Sequence, residues 1–312
     1  MMIDASMVEL FQSLPKRVIA TIHRDPDVDA IGSMLGLGNL IQRLGGTVDL
    51  YSPDIHASSF DFLPGVHAIQ KQVHGEYDMA IFLDCSNAQR IHNPPSFPMH
   101  TTCVNIDHHS DNHRFGHHNL VLDVSSVGEI MVALFNALDV PIDIDTGTNL
   151  YAAICSDTGG FRFANTSAQT LNVAANLATM GVPIHSVMDQ LFESKPMAYF
   201  SMIQSGLDHW YIDPHYPFGI VTIPYGLEGK SPNSPIDFFR QLTDTELMVL
   251  CKEILPNEFK ISFRSRSTLN VAQLAHQFNG GGGHIRASGT RFVGDHDTLH
   301  QSLIRVIYEA FS

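Results

Sequence analysis

Short apolar segments alternate with longer amphipathic segments along this chain as far as Gly181. Four short segments have the length and the apolar content of buried strands: 17–23, 48–51, 79–83 and 103–106. The longer segments carry apolar side chains at helical spacing: 30–44, 126–138, 146–156 and 166–180. Strands that alternate with helices are typical of a mainly parallel sheet flanked by helices. The sequence therefore predicts the α/β class.

The pattern changes after Gly181. The segment 184–207 has helical character but no strand character, and strand-like and helical segments return together from residue 219 onward. We therefore predict three parts: a first domain over residues 1–185, a helical linker over 186–206 and a smaller α/β domain over 207–312.

The chain is acidic, since 32 Asp and Glu residues against 18 Lys and Arg residues give a formal net charge of −14. Long nucleic acids bind proteins through neutralised phosphates, so this charge disfavours a general nucleic-acid binder but not a pocket for a short phosphorylated ligand. The 4 cysteines form no CxxC pair, and neither a long apolar run nor a secretory signal is present. We expect a cytoplasmic protein with reduced thiols and no membrane partner.

Aspartate and histidine residues follow the predicted strands at the point where each strand ends. They fall in four clusters: His23, Asp25, Asp27 and Asp29; Asp84; Asp107, His108 and His109; and Asp157. Because the carboxyl ends of parallel strands share one edge of a sheet, where ligands bind, we expect these clusters to meet there.

So many carboxylates need a positive charge nearby, because each raises the pKa of the others. No lysine falls in the four clusters, and Arg24 is their only arginine. Carboxylate and imidazole ligands without thiolate suit Mn²⁺, Mg²⁺ or Zn²⁺. About seven candidate ligands suit two ions, an arrangement used for phosphoryl hydrolysis.

The second domain carries the opposite charge in one segment. Residues 260–294 include Arg264, Arg266 and Arg286 and contain no carboxylate. The glycine run at 280–283 fits a turn whose backbone N–H groups approach a phosphate, although a flexible hairpin would also have this sequence. Arginine side chains nearby would supply bidentate contacts. Arg266 fits either a ligand contact or the surface.

Five motifs resemble those of the DHH/DHHA1 phosphoesterase superfamily. Four lie in the first domain: H-R-D-P-D-V-D-A-I-G-S at 23–33, D-C-S at 84–86, D-H-H at 107–109 and S-D-T-G at 156–159. The fifth, G-G-G-G-H-I-R-A-S-G at 280–289, resembles the DHHA1 signature. The two-domain layout is most similar to bacterial nano-RNase/pAp phosphatases of the NrnA type and to stand-alone dinucleotide phosphodiesterases. One departure is Asp25, which replaces the usual asparagine; another is Val28, which replaces a glycine.

The resemblance implies a role for each matching residue. It implies one divalent ion held by His23, Asp27 and Asp84, and a second held by Asp29, Asp84, His108 and Asp157. It implies catalytic roles for His109, Asp84 and Asp107, with His109 on the scissile phosphate and Asp107 orienting an imidazole. It implies substrate binding by Arg264, Gly282, Gly283, His284, Arg286 and Ser288. We expect the ions to be Mn²⁺, with Mg²⁺ or another divalent ion as the alternative.

The expected activity is hydrolysis of short 5′-phosphorylated oligonucleotides, such as pApA and pGpG, to mononucleotides by a hydroxide that bridges the two ions. Removal of the 3′-phosphate of pAp is a second expected reaction. A cyclic-di-AMP phosphodiesterase is the main alternative, and a non-catalytic nucleotide sensor is another. The DHHA1-like motif disfavours an inorganic pyrophosphatase. The sequence leaves the oligomeric state open, a homodimer included.

Overall fold

The computed structural model describes residues 3–91, 100–227, 234–278 and 281–312. The chain divides into two compact units, Met1–Ser194 and Lys195–Ser312. The division falls within the segment 186–206. Each unit has its own sheet and its own apolar core.

The N-terminal unit is built on a five-stranded sheet in the order β2-β1-β3-β4-β5. Its strands are β1 (Val18–Ile22), β2 (Val48–Tyr51), β3 (Met79–Leu83), β4 (Thr102–Asp107) and β5 (His118–Val121). Every neighbouring pair is parallel. The predicted α/β fold with a parallel sheet is confirmed. Strand β5 escaped the prediction because it is short and begins with the polar pair His118 and Asn119.

Helices cover one face of this sheet and share a single core with it. They are α1 (Ala5–Gln12), α2 (Val28–Arg43), α3 (Val127–Ala137), α4 (Ile144–Asp157), α5 (Ala168–Thr179) and α6 (Ile184–Met188). Side-chain caps fix where α2, α3 and α4 begin: Asp27, Ser126 and Asp143 each accept a backbone N–H of the first turn. The opposite face of the sheet carries a smaller cluster, which includes Ile19 and Phe82.

Helices α2, α3 and α4 approach one another at glycines. A Cβ atom added at Gly32 of α2 would lie 2.5 Å from the carbonyl oxygen of Asn149 on α4. A Cβ atom added at Gly128 of α3 would lie 2.7 Å from the Cβ atom of Ala153, also on α4. Neither position has room for a side chain, so these helices pack backbone against backbone.

The C-terminal unit contains a six-stranded mixed sheet in the order β10-β11-β9-β8-β7-β6. Its strands are β6 (Trp210–Ile212), β7 (Phe218–Ile223), β8 (Leu247–Leu255), β9 (Glu258–Ser265), β10 (Gly282–His284) and β11 (Ala287–Val293). Its helices are α7 (Met197–Asp208), α8 (Ile236–Phe239), α9 (Val271–His276) and α10 (His296–Phe311). This confirms the predicted second α/β sheet domain. Strand β8 was missed, although its apolar first half is typical of a buried strand.

None of the helices in the described part of the chain combines the length and the apolar character that crossing a bilayer requires.

Candidate metal centre

The predicted acid and histidine clusters meet at the carboxyl ends of the central strands. His23 follows β1, Asp84 follows β3, and Asp107 is the last residue of β4. Two more carboxylates come from helices, since Asp29 lies in the first turn of α2 and Asp157 ends α4. Asp27 is the most exposed residue of the candidate metal groups described below, with 47% of its side chain accessible.

The first group consists of His23, Asp27 and Asp84, whose potential ligand atoms lie within 4.8 Å of one another. His23 Nε2 is 3.3 Å from Asp84 Oδ2 and 4.0 Å from Asp27 Oδ1. His23 Nδ1 lies 2.6 Å from the carbonyl oxygen of Arg24, which can only accept a hydrogen bond. The proton therefore belongs on Nδ1, and the lone pair of Nε2 faces the two carboxylates.

The second group consists of Asp29, His108 and Asp157. His108 Nε2 lies 3.2 Å from Asp157 Oδ2, 3.5 Å from Asp84 Oδ1 and 3.7 Å from Asp29 Oδ2. On the other side of the ring, Nδ1 faces the carbonyl oxygen of Val124 at 3.2 Å, which again favours a lone pair on Nε2. Asp84 thus contacts a histidine of each group.

Asp84 adopts a left-handed backbone conformation with φ of 54°. Aspartate tolerates this region better than most residues, and the turn directs the carboxylate across the strand ends. The backbone N–H of Asp84 still donates to Ile106, so hydrogen bonding between β3 and β4 continues past the last residue of β3. Asp84 Oδ1 is buried and accepts no hydrogen bond. A buried carboxylate oxygen without a donor is costly, so this atom fits a metal ligand.

Burial and the neighbouring charges raise the pKa values of some side chains in the cluster and lower that of another. Burial and the neighbouring charges of Asp157 and Asp84 raise the pKa of Asp29 well above its usual range. Burial alone would raise the pKa of Asp84, but His108 and His23 hold it well below its usual value. Burial would lower the pKa of His108, but Asp157 and Asp84 raise it well above the ordinary value. The cluster therefore attracts positive charge, which divalent cations would supply.

Asp29 also anchors helix α3. Its two carboxylate oxygens accept the backbone N–H groups of Val127, at 2.8 Å, and of Gly128, at 2.9 Å. Ser33 donates its hydroxyl to the same carboxylate at 3.0 Å. A carboxylate at a helix N-terminus is stabilised by the helix dipole and by the unpaired amides. Asp29 is thereby oriented toward His108 by α3.

His109 is held by a buried polar network. Its Nδ1 donates to Asp107 Oδ1 at 2.8 Å, and the other oxygen of Asp107 accepts from the amide of Asn112. The same amide donates to the side chain of Asn105 at 2.8 Å. Both asparagines escaped the sequence analysis, because their role depends on contacts between β4 and the loop that follows it.

We expect Asn112→Ala to lower kcat about tenfold, because Asp107 would lose a donor that holds it against His109. The affinity for Mn²⁺, measured by titration calorimetry, should stay within about twofold of the wild-type value, because the residues that would bind the metal are unchanged. Asn119→Ala is the matched control, since Asn119 lies in β5 and its side chain hydrogen-bonds to the backbone of Gly116. Equal losses in the two variants would contradict the assigned role.

Arg90 is the other residue that the sequence analysis missed. It lies in a short 3₁₀ turn after β3, and its Nη1 is 3.4 Å from His109 Nε2. Arg24, the only arginine inside the sequence clusters, is exposed and donates instead to the backbone of Gln89. The sequence did carry a signal for Arg90, because it is a basic residue in the loop after β3, the strand that precedes the candidate ligand Asp84.

Two other residues near the cluster take no part in the candidate metal groups of the described N-terminal residues. Asp25, the departure from the usual motif, is exposed, with φ of 51°. Cys85 is buried, and burial together with the Asp84 charge raises its thiol pKa well above the usual value. The neutral thiol is unsuited to act as a nucleophile.

In the C-terminal unit, the glycine motif forms a hairpin of β10 and β11. Ala287 pairs with His284 on one side and with Arg264 on the other, so the His284 and Arg264 side chains lie on one face of the sheet. Arg286 is exposed in the turn. The hydroxyl of Ser288 is buried and donates to the carbonyl oxygen of Val271, which leaves it occupied within the fold.

The remaining predicted substrate residues are the glycines. Gly282 and Gly283 lie in β10, and Gly283 has φ of 137°, a conformation open to glycine. Gly280, the first glycine of the motif, lies outside the described residues. The substrate-binding roles remain predictions.

Part of the N-terminal unit is similar in sequence to a known protein family. Residues 17–154 match the DHH family, N-terminal domain. The similarity to this family thus lies within the N-terminal unit. The match includes the D-H-H motif at 107–109 and ends shortly before Asp157. It does not extend into the C-terminal unit, whose assignment to the DHHA1 family remains a prediction.

Curated relatives of this chain match both units. A bifunctional oligoribonuclease and PAP phosphatase NrnA from Thermus thermophilus is 28% identical over 309 residues, which cover 97% of this chain and 93% of the relative. The Bacillus subtilis protein of the same name is 24% identical over 290 residues, which cover 89% of this chain and 90% of the relative. Among solved structures, an exopolyphosphatase-related protein from Bacteroides fragilis shares the fold, with a TM-score of 0.81 and 18% identity over 98% of this chain and 97% of that one.

Proposed function

We propose that this protein is a divalent-metal phosphoesterase that hydrolyses short 5′-phosphorylated oligonucleotides, such as pApA and pGpG, to mononucleotides, and pAp to AMP. The observation that carries the proposal is the buried cluster in which Asp84 lies between His23 and His108 with a carboxylate oxygen that accepts no hydrogen bond. The names of the Thermus and Bacillus relatives support this substrate class.

The side chains that would hold metal are those of the two groups: His23, Asp27 and Asp84, and Asp29, His108 and Asp157, with Asp84 shared. We propose Mn²⁺ as the ion. Divalent ions bound there would lower the pKa of a bound water and neutralise phosphoryl charge.

The protein's own groups would supply the rest of the chemistry. Asp107 fixes the proton of His109 on Nδ1, so Nε2 is the nitrogen that can accept or exchange a proton at the substrate. In the C-terminal unit, Arg264 and His284 on one sheet face, with Arg286 in the neighbouring turn, would bind the 5′-phosphate of the substrate.

The test is hydrolysis by the purified full chain with Mn²⁺, on pApA, pGpG, pAp, cyclic di-AMP and pyrophosphate. ApA without the 5′-phosphate serves as the matched substrate. We expect linear dinucleotides to be cleaved fastest and ApA about 100-fold more slowly than pApA, because the charge-assisted contacts to the 5′-phosphate would be lost. EDTA should abolish the activity.

Two outcomes would contradict the proposal. Preferential cleavage of cyclic di-AMP would favour the cyclic-dinucleotide phosphodiesterase. Tight nucleotide binding without turnover of any compound would favour a sensor.

A further inference from the structure

Arg90 is the basic residue that the fold brings to the acidic cluster. Its backbone is fixed from two sides, since the N–H of Arg24 donates to the Arg90 carbonyl oxygen at 2.8 Å and Asn87 caps the turn through Gln89. The side chain is half-buried. Its position is therefore set by the loops after β1 and β3, the two strands that precede His23 and Asp84.

The guanidinium of Arg90 points to the reactive side of His109. Its Nη1 lies 3.4 Å from His109 Nε2, while His109 Nδ1 is held by Asp107. Arg90 therefore faces the His109 nitrogen opposite the one that Asp107 holds. A guanidinium that is fixed beside a cluster of carboxylates is placed to meet an anion that reaches the cluster.

Arg90 forms no ion pair with any carboxylate in the described parts of the chain, although Asp84 and Asp107 both contact His109. A half-buried guanidinium without a carboxylate has lost hydration and gains more from an incoming anion than a fully exposed one. Its five N–H donors match the oxygens of a phosphoryl group.

We propose that Arg90 binds a non-bridging oxygen of the phosphoryl group that is hydrolysed. The proposal rests on the proposed phosphoesterase function and adds a catalytic residue to it. Arg90 would stabilise the charge that grows on this oxygen during attack, in the way that fixed donors stabilise an oxyanion.

The first test compares Arg90→Gln and Arg90→Lys with the wild type on pApA. We expect Arg90→Gln to lower kcat about 100-fold with a smaller change in KM, because the contact strengthens as charge develops. Arg90→Lys should recover part of the loss, because lysine keeps the charge but not the planar fork. Affinity for Mn²⁺, measured by calorimetry, should not fall, because the residues that would hold the metal are unchanged.

Arg43→Gln is the matched control. Arg43 ends α2, about 24 Å along the helix axis from the residues that begin it beside the cluster, and its ion pair is with Asp143. It should keep wild-type kcat. Melting curves for all variants separate loss of the contact from loss of the fold. A parallel fall of Mn²⁺ affinity and kcat in Arg90→Gln would make Arg90 an organiser of the metal residues and overturn the proposal.

The second test needs no turnover. Inorganic phosphate is titrated into the Mn²⁺-loaded protein, and we expect its Kd to rise about tenfold in Arg90→Gln, since one charge-assisted contact is lost. This result can be obtained even if pApA is not a substrate, so failure of the proposed function and failure of this inference are distinguishable. An unchanged phosphate Kd would overturn the inference.

A double-mutant cycle with His109→Gln separates direct contact from positioning. If Arg90 touches the phosphoryl group, Arg90→Gln should still lower kcat at least tenfold in the His109→Gln background. If Arg90 acts only by holding His109, the second substitution will have no effect there, and the assignment as a catalytic residue fails.

Discussion

Asp84→Asn is expected to lower kcat/KM on pApA by a factor on the order of 10⁴, the size of the loss when the aspartate of a serine-protease triad becomes asparagine. Asp84 Oδ2 lies 3.3 Å from His23 Nε2, and Oδ1 lies 3.5 Å from His108 Nε2. The amide would remove the negative charge that the two candidate metal groups share. It would also place an NH₂ group where one of the two carboxylate oxygens of Asp84 now lies. We therefore expect the Mn²⁺ content of the purified variant to fall together with its activity.

The matched control is Asp145→Asn, the same change at an exposed carboxylate in the first turn of α4. It should keep wild-type activity and Mn²⁺ content. Circular dichroism should show that both variants fold. If Asp84→Asn retained a tenth or more of the wild-type kcat/KM, the assignment of the strand-end cluster as the catalytic centre would be wrong.

Asp29→Ala is expected to disturb both the metal site and the fold. Removal of the carboxylate would leave the buried N–H groups of Val127 and Gly128 without an acceptor, along with the hydroxyl of Ser33. Unpaired buried donors cost about 1–3 kcal/mol each, and relief of repulsion within the cluster offsets part of that, so we expect a net loss of about 3 kcal/mol. Mn²⁺ affinity should fall about 100-fold or more, beyond the usual effect of residues that only orient a ligand.

Hydrogen–deuterium exchange in the first turn of α3 measures the structural part of this prediction directly. The amides of Val127 and Gly128 should exchange faster in Asp29→Ala, and urea should unfold the N-terminal unit at lower concentration. Ser33→Ala is the control because it removes a single donor to Asp29, and it should cost about 1 kcal/mol. Unchanged exchange in Asp29→Ala would show that α3 does not depend on this carboxylate.

Much of the N-terminal fold could be predicted because its signal is local. The strands that precede His23, Asp84 and Asp107 are short apolar runs, and the rule that parallel strands present ligands at their carboxyl ends brought these residues together. Strand β5 lacked that signal, since half of it is polar.

The residues that support the cluster could not be predicted in the same way. Asn105 and Asn112 meet only after β4 and its following loop are in place, and their side-chain amides leave no periodic pattern in the sequence. Arg90 comes from a 3₁₀ turn beyond β3, and its distance from His109 depends on the fold of two loops. Asp29 was predicted as a ligand, but its second role as the anchor of α3 depends on a contact between residues far apart in sequence.

The glycine contacts of α2, α3 and α4 bear on how this enzyme could be re-engineered. Gly32 and Gly128 let the helix backbones touch α4, and these helices carry or orient Asp29 and Asp157. The spacing of the helices that carry the two carboxylates is thus set by close packing at these glycines. Libraries that aim at new substrates should leave these helix positions constant and diversify the β10–β11 hairpin, which carries the predicted substrate-binding residues His284 and Ser288.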